Sequence, residues 1–160
     1  MTKPIPEGYH TLTPSFIFKD SKKAIEFYKK AFGAEVLDSL PRLDGEGIMH
    51  AALKIGNSII MMCDEMPDAE NCRKSAETLG NSPITLYVYV TDSDATFRQA
   101  VEAGGTAIMP VTDMFWGDRA GTIKDPFGYS WMIATHKQDL TKEQMREGAE
   151  AFFEQMSKKQ

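Results

Sequence analysis

The sequence predicts an α+β fold built from two βαβββ modules followed by one helix, and three observations predict it. First, a long segment recurs. Phe16 to Val36 reads FIFKDSKKAIEFYKKAFGAEV, and Tyr87 to Ile108 reads YVYVTDSDATFRQAVEAGGTAI. Second, each copy is followed by a hairpin pattern: HAALKIGNSIIMMCDE from His50 to Glu65, and RAGTIKDPFGYSWMIATH from Arg119 to His136. Third, the tail carries an apolar stripe at helical spacing behind a capping signal. A recurrence at nearly constant offset is the signature of a duplicated unit.

In chain order, each unit opens with an apolar strand that breaks at Asp-Ser, at Asp20-Ser21 and Asp92-Ser93. Such residues accept hydrogen bonds from the free N–H groups of a helix's first turn. Ala24, Phe27, Tyr28 and Ala31 then repeat at helical spacing, and Ala95, Phe97, Ala100 and Val101 do so less regularly. Gly33 and Gly104-Gly105 supply the left-handed residue that ends a helix. A short strand follows, Glu35 to Leu40 in one half and Thr106 to Pro110 in the other. Two further strands turn at Gly56-Asn57, and two more at Asp125-Pro126-Phe127-Gly128, a strong turn sequence.

The modules are placed at residues 9–65 and 84–137 of a single domain spanning 1–160. Residues 66–83 read as a polar linker with a helical turn at Cys72 to Leu79, and 139–158 as a C-terminal helix. Thr141 with Gln144 forms a capping box. Met145, Ala149, Phe152 and Met156 make one stripe, which either closes over the domain's own sheet or contacts a second subunit.

Composition excludes several classes. The 160 residues carry a net charge of -5, which argues against nucleic-acid binding, since that needs a basic patch. No apolar run approaches the roughly 20 residues of a membrane span, and the first residues lack the apolar core of a signal peptide. Two cysteines, Cys63 and Cys72, make no disulfide framework and fit a reducing cytoplasm.

The two βαβββ halves, with KDSKKAIEFYKKAFGAE in the first and KDPFGYSWMIATH closing the second, resemble the vicinal oxygen chelate superfamily of glyoxalases, bleomycin-resistance proteins and extradiol dioxygenases. MFWGDRAGTIKDPFGYSWMIATH followed by LTKEQM is similar to its PhnB-like branch, often labelled 3-demethylubiquinone methyltransferase-like. Methyltransferase chemistry has no motif or room in this chain. The resemblance implies strands curled into a cup, and a homodimer whose cups are shared between or enclosed by the subunits.

The resemblance also implies four metal positions, one on the first and one on the last strand of each half. Counting along the pattern places them at Thr13, Ile60, Thr85 and Met132. None is a good ligand for a divalent ion, which wants imidazole, carboxylate or thiolate. No metal or other cofactor is therefore expected. Strand alternation puts Ser15, Ile17, Tyr87, Tyr89, Ser58, Met62, Asp64, Ser130 and Ala134 on the same cup face, and Trp131 on the helix face.

His50 is expected to face the cup too, and is the one weak candidate for a general base. Trp116 and Arg119, in the loop FWGDR, could stack on a ligand and fix a charged group. The expected ligand-binding set is thus Thr13, Ser15, His50, Ile60, Met62, Thr85, Tyr87, Trp116, Arg119, Ser130 and Met132. His10 and His136 are expected to face solvent. The leading reading is a metal-independent small-molecule-binding protein of this branch. The competing reading is a metal-dependent lyase, dioxygenase or transferase of the glyoxalase or fosfomycin-resistance type.

Overall fold

A computed structural model describes residues 2–66 and 72–158 of the chain; residues 67–71 of the expected linker lie outside the described residues. The first module runs β1 (Ser15–Phe18), α1 (Ser21–Phe32), β2 (Glu35–Pro41), β3 (Ile48–Ile55) and β4 (Ser58–Asp64). A one-turn helix, α2 (Ala76–Leu79), sits in the expected linker. The second module runs β5 (Thr85–Tyr89), α3 (Ser93–Glu102), β6 (Thr106–Asp113), β7 (Asp118–Lys124) and β8 (Ser130–His136), and α4 (Lys142–Ser157) follows. The strands bond as two four-stranded sheets of identical order, β1-β4-β3-β2 and β5-β8-β7-β6. Their first strands pair in parallel with their last, and the other pairs are antiparallel. Both βαβββ halves and the terminal helix are present as the sequence predicts.

Local chemistry explains the helices. Asp20 accepts from the Lys23 N–H and Asp92 from the Ala95 N–H, each through its side chain. Gly33 closes α1 with a left-handed backbone, whereas α3 ends on right-handed Ala103 ahead of Gly104. Each helix start is also strapped to the last strand of its sheet. The Ser21 N–H donates to Asp64 Oδ1 at 2.7 Å, and the Ser93 N–H to Thr135 Oγ1 at 2.8 Å. The two halves thus meet one geometric need with a carboxylate in one case and a hydroxyl in the other.

The helix-facing sides of both sheets share one core, rich in aromatic rings. Phe16 of β1 stacks on Trp131 of β8 with centroids 5.9 Å apart, and meets Tyr129 edge-on at 4.9 Å. At the joint lies the Asp125 carboxylate, 4% exposed. It accepts the Tyr28 hydroxyl from α1 at 2.6 Å, the Trp131 indole N–H at 3.0 Å, and the backbone N–H groups of Phe127 and Tyr129. Burial pushes this carboxyl above its ordinary pKa, against the pull of those four donors. The Tyr129 hydroxyl then reaches back to the Ile17 carbonyl at 2.8 Å.

The fourth helix is different. Its capping box forms as read, yet no residue of α4 is buried. It rests on the second module where Gly148 lies against Phe115, and where the Phe152 ring approaches Phe115 at 5.8 Å. No helix among the described residues is long and apolar enough to cross a membrane.

Removing one partner of a buried polar network leaves the others unsatisfied, which costs about 1–3 kcal/mol per group. Asp125→Ala is therefore expected to lower stability by about 3 kcal/mol, and Tyr28→Phe by about 1–2 kcal/mol. Urea denaturation measures both. A loss below about 1 kcal/mol for Asp125→Ala would mean that ring packing alone holds the modules together.

Candidate functional site

Strand register sorts the side chains, because residues directly opposite each other share a face of the sheet. In the first sheet Phe16 lies opposite Met62 and Leu53 opposite Ile60, all on the helix face. His50, Ala52, Met61, Ser15 and Ile17 take the other, open face. In the second sheet Trp131 pairs with Leu86 and Ile123 on the helix face. The open face holds Thr85, Tyr87 and Tyr89 of β5, Ser130, Met132, Ala134 and His136 of β8, and Asp118, Ala120 and Thr122 of β7.

The chemistry of that open face converges on Asp118, which is 4% exposed. Its Oδ2 accepts the Tyr89 hydroxyl and the Trp116 indole N–H, both at 3.0 Å. Its Oδ1 lies 2.8 Å from His136 Nδ1. The opposite ring nitrogen, Nε2, lies 3.0 Å from Asp139 Oδ1. Carboxylates only accept, so both contacts are satisfied together only by the imidazolium, with a proton on each nitrogen.

Burial works against the Asp118 charge, but the hydrogen bonds from His136, Tyr89 and Trp116 outweigh it and hold the carboxyl below its ordinary pKa. The same bond to Asp118, followed by that to Asp139, raises the His136 imidazole. Burial, then the bond to Asp118, raises the Tyr89 phenol. Asp118 thereby fixes one tyrosine, one tryptophan and one histidine at the edge of the sheet. Phe115 meets the Trp116 ring edge-on at 5.0 Å, and the Tyr87 and Tyr89 rings lie 5.7 Å apart, both exposed.

Three of these residues, Tyr87, Tyr89 and His136, open onto a cleft of about 1030 Å³ between the modules, whereas Asp118 borders a separate hollow with Met114, Gly117 and Lys137. Tyr87, Tyr89 and His136 line it from the second module, Leu12, Pro14 and Ile59 from the first, and Phe32 and Trp131 from the core. The volume suits a drug-sized molecule.

The structure redistributes the residues singled out from sequence. Thr85, Tyr87, Ser130 and Met132 share the open face of the second sheet, with Trp116 at its end. Thr13, Ser15 and His50 belong to the first module, His50 on that module's open face as expected. Thr13 donates its hydroxyl to the His10 carbonyl. Ile60 and Met62 are corrections of facing: both are buried on the helix face, which exposed Ser58 and buried Asp64 share by the same alternation, although Ile60 still borders the cleft between the modules.

The cause is turn geometry. Ile55 and Ser58 pair across a tight two-residue turn, whereas Lys124 and Ser130 are joined by the longer Asp125–Tyr129 loop. The same count from each glycine therefore lands on opposite faces, and the first-half counterpart of Met132 is Met61. Arg119 is also corrected. It sits on the helix face, held by Asp94 at 2.7 Å and Asp113 at 3.1 Å, and those pairs raise its guanidinium pKa further. Two carboxylates of its own module thus engage the guanidinium, beside the hollow that Asp118 borders. His136, expected in solvent, is half exposed but anchored.

Asp118 and His136 were legible in principle, since each lies six residues out from the paired Lys124 and Ser130 on its own strand. The four metal positions, with Met61 replacing Ile60, offer two hydroxyls and two thioethers. That donor set does not fit a hard divalent ion. Among the described residues no group of three or more His, Cys, Asp or Glu side chains is placed to hold a metal.

Comparison with known proteins agrees with this architecture. The family model of the Glyoxalase/Bleomycin resistance protein/Dioxygenase superfamily matches residues 10–133. An uncharacterized protein of Mycobacterium bovis is 36% identical over 136 residues, covering 84% of this chain and 89% of its own. TioX from Micromonospora sp. ML1 superposes with a TM-score of 0.63 at 24% identity, covering 79% of this chain and 98% of that one. A PhnB protein from Bacillus cereus superposes at 0.59 with 17% identity, covering 79% and 99%. At these identities the two solved structures share the fold.

Titration should expose the Asp118–His136 pair. A raised imidazole pKa stabilises the folded state fully below the ordinary value of about 6.5, and that contribution is lost as pH rises through the folded-state value. Asp118→Asn is expected to move the His136 titration back toward the ordinary value, followed by NMR at the imidazole Cε1 proton. An unchanged titration in this variant would show that Asp118 does not control the ring.

Proposed function

We propose that this chain, which belongs to the Glyoxalase/Bleomycin resistance protein/Dioxygenase superfamily, is a PhnB-like, metal-independent protein that binds a small organic molecule. The site is the open face of the second sheet where it meets the cleft between the modules. One observation carries the reading. The buried Asp118 carboxylate holds Tyr89 and His136 in place on the wall of a cleft of about 1030 Å³, beside the exposed Tyr87 ring. Rings fixed before a ligand arrives lose little conformational entropy on binding, and present flat apolar area with polar edges. Met132 on the same face, with its flexible thioether, adapts to the ligand's outline.

The donor chemistry of Thr13, Met61, Thr85 and Met132 supports metal independence. It disfavours a metal-dependent lyase, dioxygenase or transferase. The protein acts by sequestration or as an accessory, as a cytoplasmic homodimer. Exposed apolar side chains on β2 (Val36, Leu37, Leu40), on the loop after it (Leu43), and on α4 (Phe152, Phe153, Met156) support the dimer.

A thermal-shift screen of aromatic small molecules, run with and without EDTA, tests this. Stabilising compounds should act equally with the chelator. Tyr87→Ala should weaken them about tenfold, equal to roughly 1.4 kcal/mol. Stoichiometric transition metal in the purified protein, together with loss of binding in EDTA, would favour the metal-dependent reading. A monomer at micromolar concentration would remove the homodimer, whose interface should bury more than about 1,000 Å².

A further inference from the structure

We infer that His136 is the anion-recognition point of this site, and that Asp139 occupies it from within the chain until a ligand carrying a carboxylate or similar anionic group takes its place. The proposal rests on the small-molecule reading above and names the ligand class: a planar aromatic acid.

The geometry has two unequal halves. On the inner side, His136 Nδ1 faces a carboxylate that is buried and already holds Tyr89 and Trp116, so this contact is permanent. On the outer side, Nε2 faces Asp139, whose side chain is fully exposed. An exposed ion pair in water contributes little, because solvent and salt screen it and the side chain loses freedom to hold it. The second proton of the imidazolium is therefore aimed at a weakly held anion, at a residue that lines the cleft.

The exchange is electrostatically neutral. Asp118 compensates the imidazolium from below, so a free monoanion at Nε2 would be one charge too many were Asp139 to stay. A ligand carboxylate that displaces Asp139 restores the original count. It also moves the bond into the cleft, where its own aromatic body lies against the Tyr87 and Tyr89 rings and water is thinner than at the fully exposed Asp139. Tyr89 and His136 share the Asp118 carboxylate, which fixes the spacing between ring and anion sites.

The ionisable and charged groups around the imidazole are few. Asp118 comes from β7, the Tyr89 phenol from β5, and Asp139 and Lys137 from the segment after β8. The Trp116 N–H shares the inner carboxylate. His136 is the one of them whose side-chain type ordinarily changes charge near neutrality. As pH rises and the imidazolium loses a proton, the remaining one stays on Nδ1 against buried Asp118. Nε2 then presents a lone pair, and anion recognition is lost.

Benzoate and its neutral counterpart benzyl alcohol are the probes, titrated by NMR between about pH 5.5 and about pH 9, on either side of the ordinary imidazole value. In the wild type, benzoate should bind more tightly than benzyl alcohol, raise the His136 titration point by linkage, and weaken as pH rises. Asp139→Asn, which removes the internal competitor, should strengthen benzoate about threefold and leave benzyl alcohol unchanged. His136→Gln should weaken benzoate about tenfold, with thermal denaturation confirming that the variant folds.

Equal binding of the two probes would overturn anion recognition while leaving the small-molecule reading intact. So would weaker benzoate binding in Asp139→Asn, or a His136 titration that benzoate does not move. Failure of both probes to perturb Tyr87 and Tyr89 would overturn both readings at once.

Discussion

The Asp125 carboxylate is the contact on which the arrangement of the molecule depends. The Asp-Pro-x-Gly turn would form a hairpin loop with almost any small polar residue in first place. Here that residue also takes a phenol from α1 of the other module and an indole from β8 of its own. A buried carboxylate is costly to hold unless every lone pair is used, and four donors meet this one. Because two of the donors are bulky aromatics from different modules, satisfying the charge also sets the angle at which the modules meet. The cleft and the open face of the second sheet inherit their positions from that joint.

Asp118 repeats the device at the other end of the same strand. It too is buried, and it too holds an indole and a phenol. The difference is what lies above it. Asp125 is roofed by core rings, whereas two of the groups on Asp118, Tyr89 and His136, line the cleft. A carboxylate so fully engaged is a poor reactant but a good anchor. Its role is to present Tyr89, Trp116 and His136 in one fixed relation, which suits recognition better than turnover. The helix-side Arg119 locks α3 to the strand from behind through Asp94, so that β7 is held on both faces.

Most of the fold was legible because duplication doubles every signal. Caps at Asp20 and Asp92, the turn at Asp125 and the capping box at Thr141 are local chemistry, and local chemistry reads directly from residue order. The site was less legible, because facing depends on hairpin length. At β8 the alternation held, and Met132, Ser130 and Tyr87 were placed together. At β4 the shorter turn reversed it, so Ile60 and Met62 went to the core and Met61 took the open position. Arg119 misled for a related reason: charge next to an aromatic loop looks like a binding feature until its partners on α3 and β6 are known. The partnership of Asp118 with His136 is a contact across two strands, visible only after register is assigned.

One further consequence follows from where the two tryptophans sit. Each gives its indole N–H to a buried aspartate, Trp131 to Asp125 at the joint between the modules and Trp116 to Asp118 at the start of β7. The first ring is 3% exposed among aromatic neighbours, and the second is only partly covered. The protein therefore carries two intrinsic fluorophores with different surroundings, one short-wavelength emitter at the joint of the halves and one longer-wavelength emitter beside Asp118. With the other indole replaced in turn by phenylalanine, the joint between the halves and the surroundings of Asp118 become separate optical signals from a chain that needs no added dye.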